Sequence, residues 1–175
     1  GHAGTLDPLA TGVLVILVGR ATKLFNKFLK LDKAYNATLT LGKITDTGDA
    51  NGKVIKEFPV PVLNNKMIEN TLNSFVGEIH QVPPMVSAKR YHGKRLYQFA
   101  RKGIEVPRSP RKVLIKEIKL IQFSSPQIKF YVHCSTGTYI RQLAMDIAEK
   151  LGSGGYISEI ERIRVGPFLL KDSIS

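Results

Sequence analysis

Apart from His2, Asp7 is the only ionisable side chain in the first nineteen residues, and it sits between Leu6 and Pro8 ahead of an apolar run. Two readings of this carboxylate are open. It can belong to an Asp-Pro turn, where it accepts a backbone hydrogen bond, or it can act as a nucleophile or base once a partner orients it. A guanidinium is a suitable partner, because pairing holds a carboxylate in place and keeps it ionised. Arg141 is the candidate. Ile140, Leu143, Ala144, Ile147 and Leu151 recur at helical spacing and stop at Gly152, which predicts an amphipathic helix with Arg141 in its first turn after Ser135-Thr136-Gly137-Thr138. The helix dipole disfavours a cation there, so an anion is expected nearby; the alternative is an arginine reaching solvent or any surface acid.

Other chemistries lack their residues. Neither C-x-x-C nor H-E-x-x-H occurs, and His2, His80, His92 and His133 are scattered, so no metal is implied. The stretch Gly48 to Val54, GDANGKV, has one residue too few before Gly52-Lys53 for a phosphate-cradling loop, and no Ser or Thr follows the lysine. A nucleotide hydrolase is excluded. No G-x-S-x-G elbow occurs, and Gly152, Gly154 and Gly155, following a helix, read as its cap. No cofactor is expected.

Charge narrows the partner. The 26 lysines and arginines against 14 acidic residues give a net charge of +12, which attracts polyanions. Between Ser87 and Lys112 lie Lys89, Arg90, Lys94, Arg95, Arg101, Lys102, Arg108, Arg111 and Lys112 against Glu105 alone, two thirds of that excess. Tyr91, Tyr97 and Phe99 interleave with them, so cations can track phosphates while aromatic faces meet bases. RNA or DNA contact is favoured over a solvated loop, because a net +8 confined to one segment repels itself. Tyr35, opening a strand, reads as core or strand edge on spacing alone, with a stacking platform as the alternative.

The elements that would position these residues follow from pattern. The 175 residues, 43% hydrophobic and 23% charged, suit one globular domain. Val13 to Val18, six residues, reads as a buried strand and is far short of the roughly 20 a membrane-spanning helix needs. With a lone Cys134 and no secretion signal, a reducing, cytoplasmic setting is expected. Leu24, Phe25 and Phe28 predict a short helix over Arg20 to Lys30, with Lys23 exposed. Tyr35, Ala37, Leu39 and Leu41 alternate with Asn36, Thr38 and Thr40, as in a half-buried strand. Lys43 to Gly52 reads as a loop before a short strand near Val54. Ile68, Leu72, Phe75 and Val76 mark a helix capped by Asn64 or Asn65 and stopped at Gly77. A strand at Glu78 to Val82 leads through Pro83-Pro84 into the basic segment, where Leu96, Phe99 and Ala100 predict a short helix ended by Gly103. Val113 to Phe123 and Gln127 to Cys134 read as paired strands. With no βαβ alternation and no repeat, the expectation is an α+β fold: a mixed, mainly antiparallel sheet with flanking helices.

The sequence also resembles a known family. GHAGTLDPLATGVL at Gly1 to Leu14 is similar to the signature loop of the TruB-type tRNA pseudouridine synthases, with Asp7 on that family's catalytic aspartate. The likeness continues, in order, through DKAYNATLTLGKITDTGDANG at Asp32 to Gly52, QVPPMVSAKRYHGKRLYQFARKGIEVPR at Gln81 to Arg108, CSTGTYIRQLAMDIA at Cys134 to Ala148, and YISEIERIRVGPF at Tyr156 to Phe168.

The resemblance implies a pseudouridine synthase-like catalytic domain spanning 1–175, lacking its N-terminal segment, with a basic thumb-like RNA-binding insertion at 87–112. It implies isomerisation of uridine in the T-loop of tRNA, normally position 55, to pseudouridine, breaking the glycosidic C–N bond and forming a C–C bond without a cofactor. By the family pattern Asp7 acts on the nucleoside and Arg141 is its ion-pair partner. Tyr35 stacks on the flipped base, His2 holds the opened T-loop, Tyr139 lines the pocket, and Ile160 packs where leucine is usual. Lys23, Lys89, Arg90, Lys94, Arg95, Arg101 and Lys102 are expected to bind RNA. The implied partner is the tRNA T-arm, with no membrane or protein partner and a monomeric enzyme. Glu161 stands where arginine is common, which either weakens phosphate binding or leaves the side chain pointing elsewhere. A non-catalytic tRNA-binding or folding module is the alternative, as is a guide-RNA-dependent relative, against which the bacterial-type wording of Gln81 to Arg108 argues.

Overall fold

A computed structural model of the chain describes residues 1–87 and 89–175; Ala88, inside the basic insertion, lies outside the described residues. The first pairing is short: β1, Thr11–Gly12, runs parallel to a C-terminal strand through Thr11↔Glu161 and Gly12↔Arg162. The run Val13 to Val18 is not the buried sheet strand its composition predicts. It bends back along the N-terminus, with Ala3 N donating to Val15 O at 2.9 Å and Leu17 N to Gly1 O at 2.7 Å. Residues 1–3 therefore take the hydrogen bonds a sheet neighbour would have taken. Val13 and Leu17 are buried, whereas Leu14, Ile16 and Val18 are exposed.

A 3-10 turn, Gly19–Leu24, runs into α1, Phe25–Leu29, where one helix is expected from spacing; Leu24 and Phe25 stay exposed. β2, Lys33–Leu41, is the strand that the alternation predicts. The polar stretch after it is more ordered than a loop. β3, Lys43–Thr45, pairs with β4, Val54–Glu57, and the turn between them is closed by Asp46 Oδ1 accepting from Lys53 N at 2.8 Å and Asp49 Oδ1 from Asn51 N at 3.0 Å. These short acids replace backbone partners in a turn. α2, Asn65–Asn73, begins where the Asn64 side chain accepts from Met67 N at 2.9 Å, and it buries Ile68 and Leu72.

β5, Gly77–Gln81, is followed by an excursion off the sheet over residues 82–110. Within it β6, Arg90–Tyr91, and β7, Lys94–Arg95, form a hairpin whose two-residue turn, His92-Gly93, has φ of +46° and +79°, the left-handed pair that suits a tight hairpin. α3, Leu96–Ala100, follows, and β8, Arg111–Ser124, returns to the sheet. Arg111 and Lys112, read from composition as part of the insertion, are thus strand residues. β9, Gln127–Cys134, and α4, Ile140–Lys150, form as predicted.

β10, Gly155–Val165, with the short β11, Phe168–Leu169, completes the fold. Among the described residues the large sheet has seven strands in the order β1-β10-β2-β9-β8-β5, with β11 on β10, and every pair except β1·β10 is antiparallel. This is the expected α+β fold on a mixed, mainly antiparallel sheet. α2 and α4 cover one face. The core between them and the sheet contains Leu39, Ile128, Phe130, Ile157, Leu143 and Ile147, all fully buried.

The second and third glycines after α4 do more than cap it. Gly152, at φ +83°, fits the cap, but a Cβ on Gly154 would stand 2.5 Å from Phe58 and one on Gly155 2.5 Å from Leu39 Cδ1. Those two glycines let β10 start against β2 and the hairpin. Among the described residues no helix is long and apolar enough to cross a membrane.

Candidate active site

The Asp7 loop is fixed at both ends by one buried side chain. Arg162, 2% exposed, donates from Nε to Val13 O at 2.8 Å, from Nη2 to Gly4 O at 3.0 Å and from Nη1 to Thr5 O at 3.4 Å. Gly12 permits the close approach that this requires: a Cβ there would lie 2.1 Å from Arg162 O, and its φ of +109° is open mainly to glycine. Inside the loop Ala10 N donates to Asp7 O at 2.8 Å, so the Asp-Pro turn exists. The side chain is free of it. Asp7 Oδ2 accepts from Arg141 Nε at 2.7 Å, joining a half-exposed carboxylate to a guanidinium only 5% exposed.

Arg141 is anchored in turn. Its Nη1 donates to Thr47 O at 2.9 Å and its Nη2 to Val86 O at 2.8 Å. One arginine in the first turn of α4 therefore gathers the Asp7 loop, the β3–β4 turn and the base of the basic insertion. The start of α4 is set by Gln81, 1% exposed, whose amide accepts from Tyr139 N at 2.9 Å and donates to Tyr139 O at 3.1 Å. This side chain pairs with a backbone unit as a strand neighbour would.

Strand register places the remaining wall. Tyr35 lies opposite Arg162, Ala37 opposite Ile160 and Leu39 opposite Ile157, so these pairs share one sheet face. At Leu39 that face lies under α4; at Tyr35 it lines a cavity of about 470 Å³ together with Asp7, Lys33, Tyr139, Ile160 and Arg162. Burial pushes the Tyr35 phenol up to about 12, with the neighbouring Arg162 opposing the shift. Burial also pushes the Lys33 ammonium down to about 8, and the nearby Arg162 adds to that shift. The same arrangement buries the Cys134 thiol, raised to about 12, which suits a packing residue rather than a nucleophile.

Of the residues singled out in the sequence, Asp7, Tyr35, Tyr139 and Ile160 line this cavity and Arg141 holds Asp7. His2 does not line it; it is exposed and bridges to Ile16. Lys23 is exposed on the 3-10 turn. Arg90, Lys94, Arg95, Arg101 and Lys102 are exposed and Lys89 half-buried on the insertion, away from the cavity lining. The aromatic residues there are engaged with their own neighbours rather than splayed for bases: Tyr91 and Phe99 meet edge to face at 5.9 Å, and Arg101 covers Tyr97 at 5.2 Å. Glu161 faces away from Asp7, in a separate cavity of about 310 Å³ with Asn36, Thr38 and Lys129. Lys33, Gln81 and Arg162 escape sequence reasoning. Each follows another polar residue, Asp32, His80 and Glu161, and Lys33 and Gln81 stand at strand ends, so none carries an isolated signal.

The chain is similar to known proteins over nearly its whole length. Residues 1–140 match the model of the TruB family pseudouridylate synthase, N-terminal domain. The chain is 46% identical over 174 residues to a tRNA pseudouridine synthase B of Endomicrobium trichonymphae, covering 99% of this chain and 76% of that protein. It is 49% identical over 175 residues to the Clostridium tetani protein of the same name, covering all of this chain and 61% of the relative. For the Psychrobacter cryohalolentis protein the values are 46% identity, all of this chain and 49% of the relative. The chain thus spans between about half and three quarters of these relatives. Among solved structures, a Cbf5-Nop10-Gar1 complex matches with a TM-score of 0.72 at 29% identity, over 97% of this chain and 41% of that one.

Proposed function

The chain belongs to the TruB family of pseudouridylate synthases, and from that premise we propose that it isomerises uridine 55 in the T-loop of tRNA to pseudouridine. The observation that carries this reading is the Asp7 carboxylate, held at 2.7 Å by a buried Arg141 at a cavity wide enough for one nucleoside. The uridine leaves the stack of the loop to enter, because neither its sugar nor its ring can otherwise reach Asp7; unstacking costs a few kcal/mol. Tyr35 stacks on the flipped base, and Tyr139 and Ile160 close on its edges. His2, outside the cavity, contacts the opened T-loop.

Asp7 acts as nucleophile or base in the glycosidic exchange. The C1′–N1 bond breaks, the C1′–C5 bond forms, the hydrogen on C5 leaves as a proton and N1 gains one, so atoms and electrons balance without a cofactor. Arg141 keeps the carboxylate aimed and offsets its charge. The exposed cations of the insertion and Lys23 hold T-arm phosphates. A monomer in the cytoplasm, where tRNA is the partner, fits the free, buried Cys134. The guide-RNA-dependent alternative is disfavoured by identities of 46–49% to proteins named tRNA pseudouridine synthase B.

Tritium release from a tRNA transcript labelled at uridine C5 tests the proposal. Release by the parent chain and none by Asp7→Asn is expected, with tRNA binding retained in both. Binding without release by either would make the chain a tRNA-binding module.

A further inference from the structure

Two cations are buried in the wall of the Asp7 cavity without a salt bridge to an acid, and Asp32 only partly offsets the charge of Lys33. Lys33 is 5% exposed and Arg162 2%, and among the described residues neither meets a carboxylate. Asp7 is taken by Arg141, and Asp32, next in sequence to Lys33, is taken by Lys116. Lys30 and Arg111 line the same cavity, so its wall carries four cations against one carboxylate that a fifth cation already holds. Burying unpaired charge is unfavourable, which makes the arrangement intelligible when the counter-charge arrives with the ligand.

Structural duty does not account for Lys33. Its Nζ donates to Leu29 O at 2.6 Å and Thr136 Oγ1 at 3.1 Å, tying the end of α1 to the Ser135–Thr138 turn. Thr136 Oγ1 makes that tie unaided, donating to Leu29 O at 2.8 Å. An ammonium has three donors, and these two bonds leave one of them unused in a residue that lines the cavity. Arg162 has five N–H groups, of which three bonds to carbonyls are made, and its guanidinium also acts on the Tyr35 hydroxyl. The Arg162 guanidinium and the Lys33 stem flank one point: a Cβ on Gly4 would stand 3.7 Å from Arg162 Nη1 and 3.9 Å from Lys33 Cε. Glycine leaves that point of the wall open.

We propose that Lys33 and Arg162 form a subsite for one phosphodiester of the RNA strand whose uridine enters the Asp7 cavity, an inference that rests on the functional reading above. Uracil and ribose are neutral, and the phosphodiester is the anion an RNA strand brings. Lys33 is the specific contact, and Arg162 supplies charge while bracing the Asp7 loop.

The test is a cycle of binding measurements on the whole chain by fluorescence anisotropy. A T-arm hairpin is prepared with single neutral methylphosphonate linkages scanned across the nucleotides flanking the target uridine, and the parent is compared with Lys33→Met, which keeps the apolar stem. For the parent, one flanking linkage is expected to weaken binding about tenfold when neutralised. Lys33→Met binds the unmodified hairpin about tenfold more weakly and is indifferent at that linkage, with its salt slope shallower by about 0.7. Inorganic phosphate is titrated as a competitor, and a stronger effect on the parent than on Lys33→Met supports the subsite. Lys33→Gln repeats the cycle with a polar replacement. The same linkage penalty in parent and variants overturns the subsite. Tritium release measured in parallel separates the two claims: turnover without a Lys33-dependent linkage leaves the isomerase and removes the subsite, whereas the reverse pattern keeps the subsite and removes the isomerase. A hairpin that does not bind the parent overturns both.

Discussion

The positive charge on Lys33 is disfavoured by folding where it stands. Its ordinary pKa of 10.5 falls to about 8 in the folded chain, first through burial and then through Arg162. Below pH 8 both states hold the proton and the folded state bears the full penalty. Between about 8 and 10.5 the unfolded chain still binds a proton that the folded chain has released, so stability rises with pH across that window. Lys33→Met removes the penalty. It is expected to be more stable than the parent at pH 7, with the difference shrinking by pH 10, as urea unfolding at the two pH values would read. An unchanged difference would mean that Lys33 is not desolvated. A residue kept at the expense of stability fits a binding role, and it also explains what the sequence could reveal at this scale. Asp7 and Arg141 were legible because one was isolated and the other stood at an unfavourable helix end. Gln81 was not, since it serves the backbone of Tyr139, 58 residues away.

Elements with clean periodicity were legible in the sequence: β2, β9, α2 and α4 lie close to where spacing put them. β10, which carries Ile160 and Arg162, shows no strand alternation in the sequence. Its isoleucines, Ile157, Ile160 and Ile163, are three apart, and register shifts between Ile157 and Glu159 and between Arg162 and Arg164 break the period of two. A bulge lets residues three apart share a face, so alternation fails as a signal. The run Val13 to Val18 erred the other way, since an all-apolar stretch carries no period and its partner was the N-terminus. The junction between these two elements is Gly12. Gly12→Ala would force a Cβ to 2.1 Å from a carbonyl oxygen of β10 at a left-handed φ, a backbone clash that no rotamer relieves. The expected result is selective: hydrogen exchange of residues 1–17 loses protection while β9 keeps its own, and pseudouridine formation falls at least tenfold. Equal loss in β9 would mean that the loop and the core unfold as one unit.

At the scale of the whole molecule, charge was the most legible property and the least local. The net +12 forecast a polyanion, and the basic insertion is an excursion whose cations Arg90, Lys94, Arg95, Arg101 and Lys102 are exposed. What composition could not foresee is that Tyr91 and Phe99 pack on each other and Tyr97 against Arg101, because interleaved residues look alike whether they meet bases or their own neighbours. On the proposed function the insertion then acts chiefly through charge. Phosphate contacts position RNA without reading it, and each contributes about 0.7 to the slope of log K against log salt on single strands. Replacing Lys94, Arg95, Arg101 and Lys102 together by glutamine is expected to flatten that slope by up to about 3. It should weaken a T-arm hairpin and an unrelated hairpin by the same factor. A variant that loses the T-arm hairpin while retaining the unrelated one would show that the insertion reads shape or sequence. The selectivity would then reside outside the cavity, whereas an equal loss leaves it to the fit of one uridine among Asp7, Tyr35, Tyr139 and Ile160.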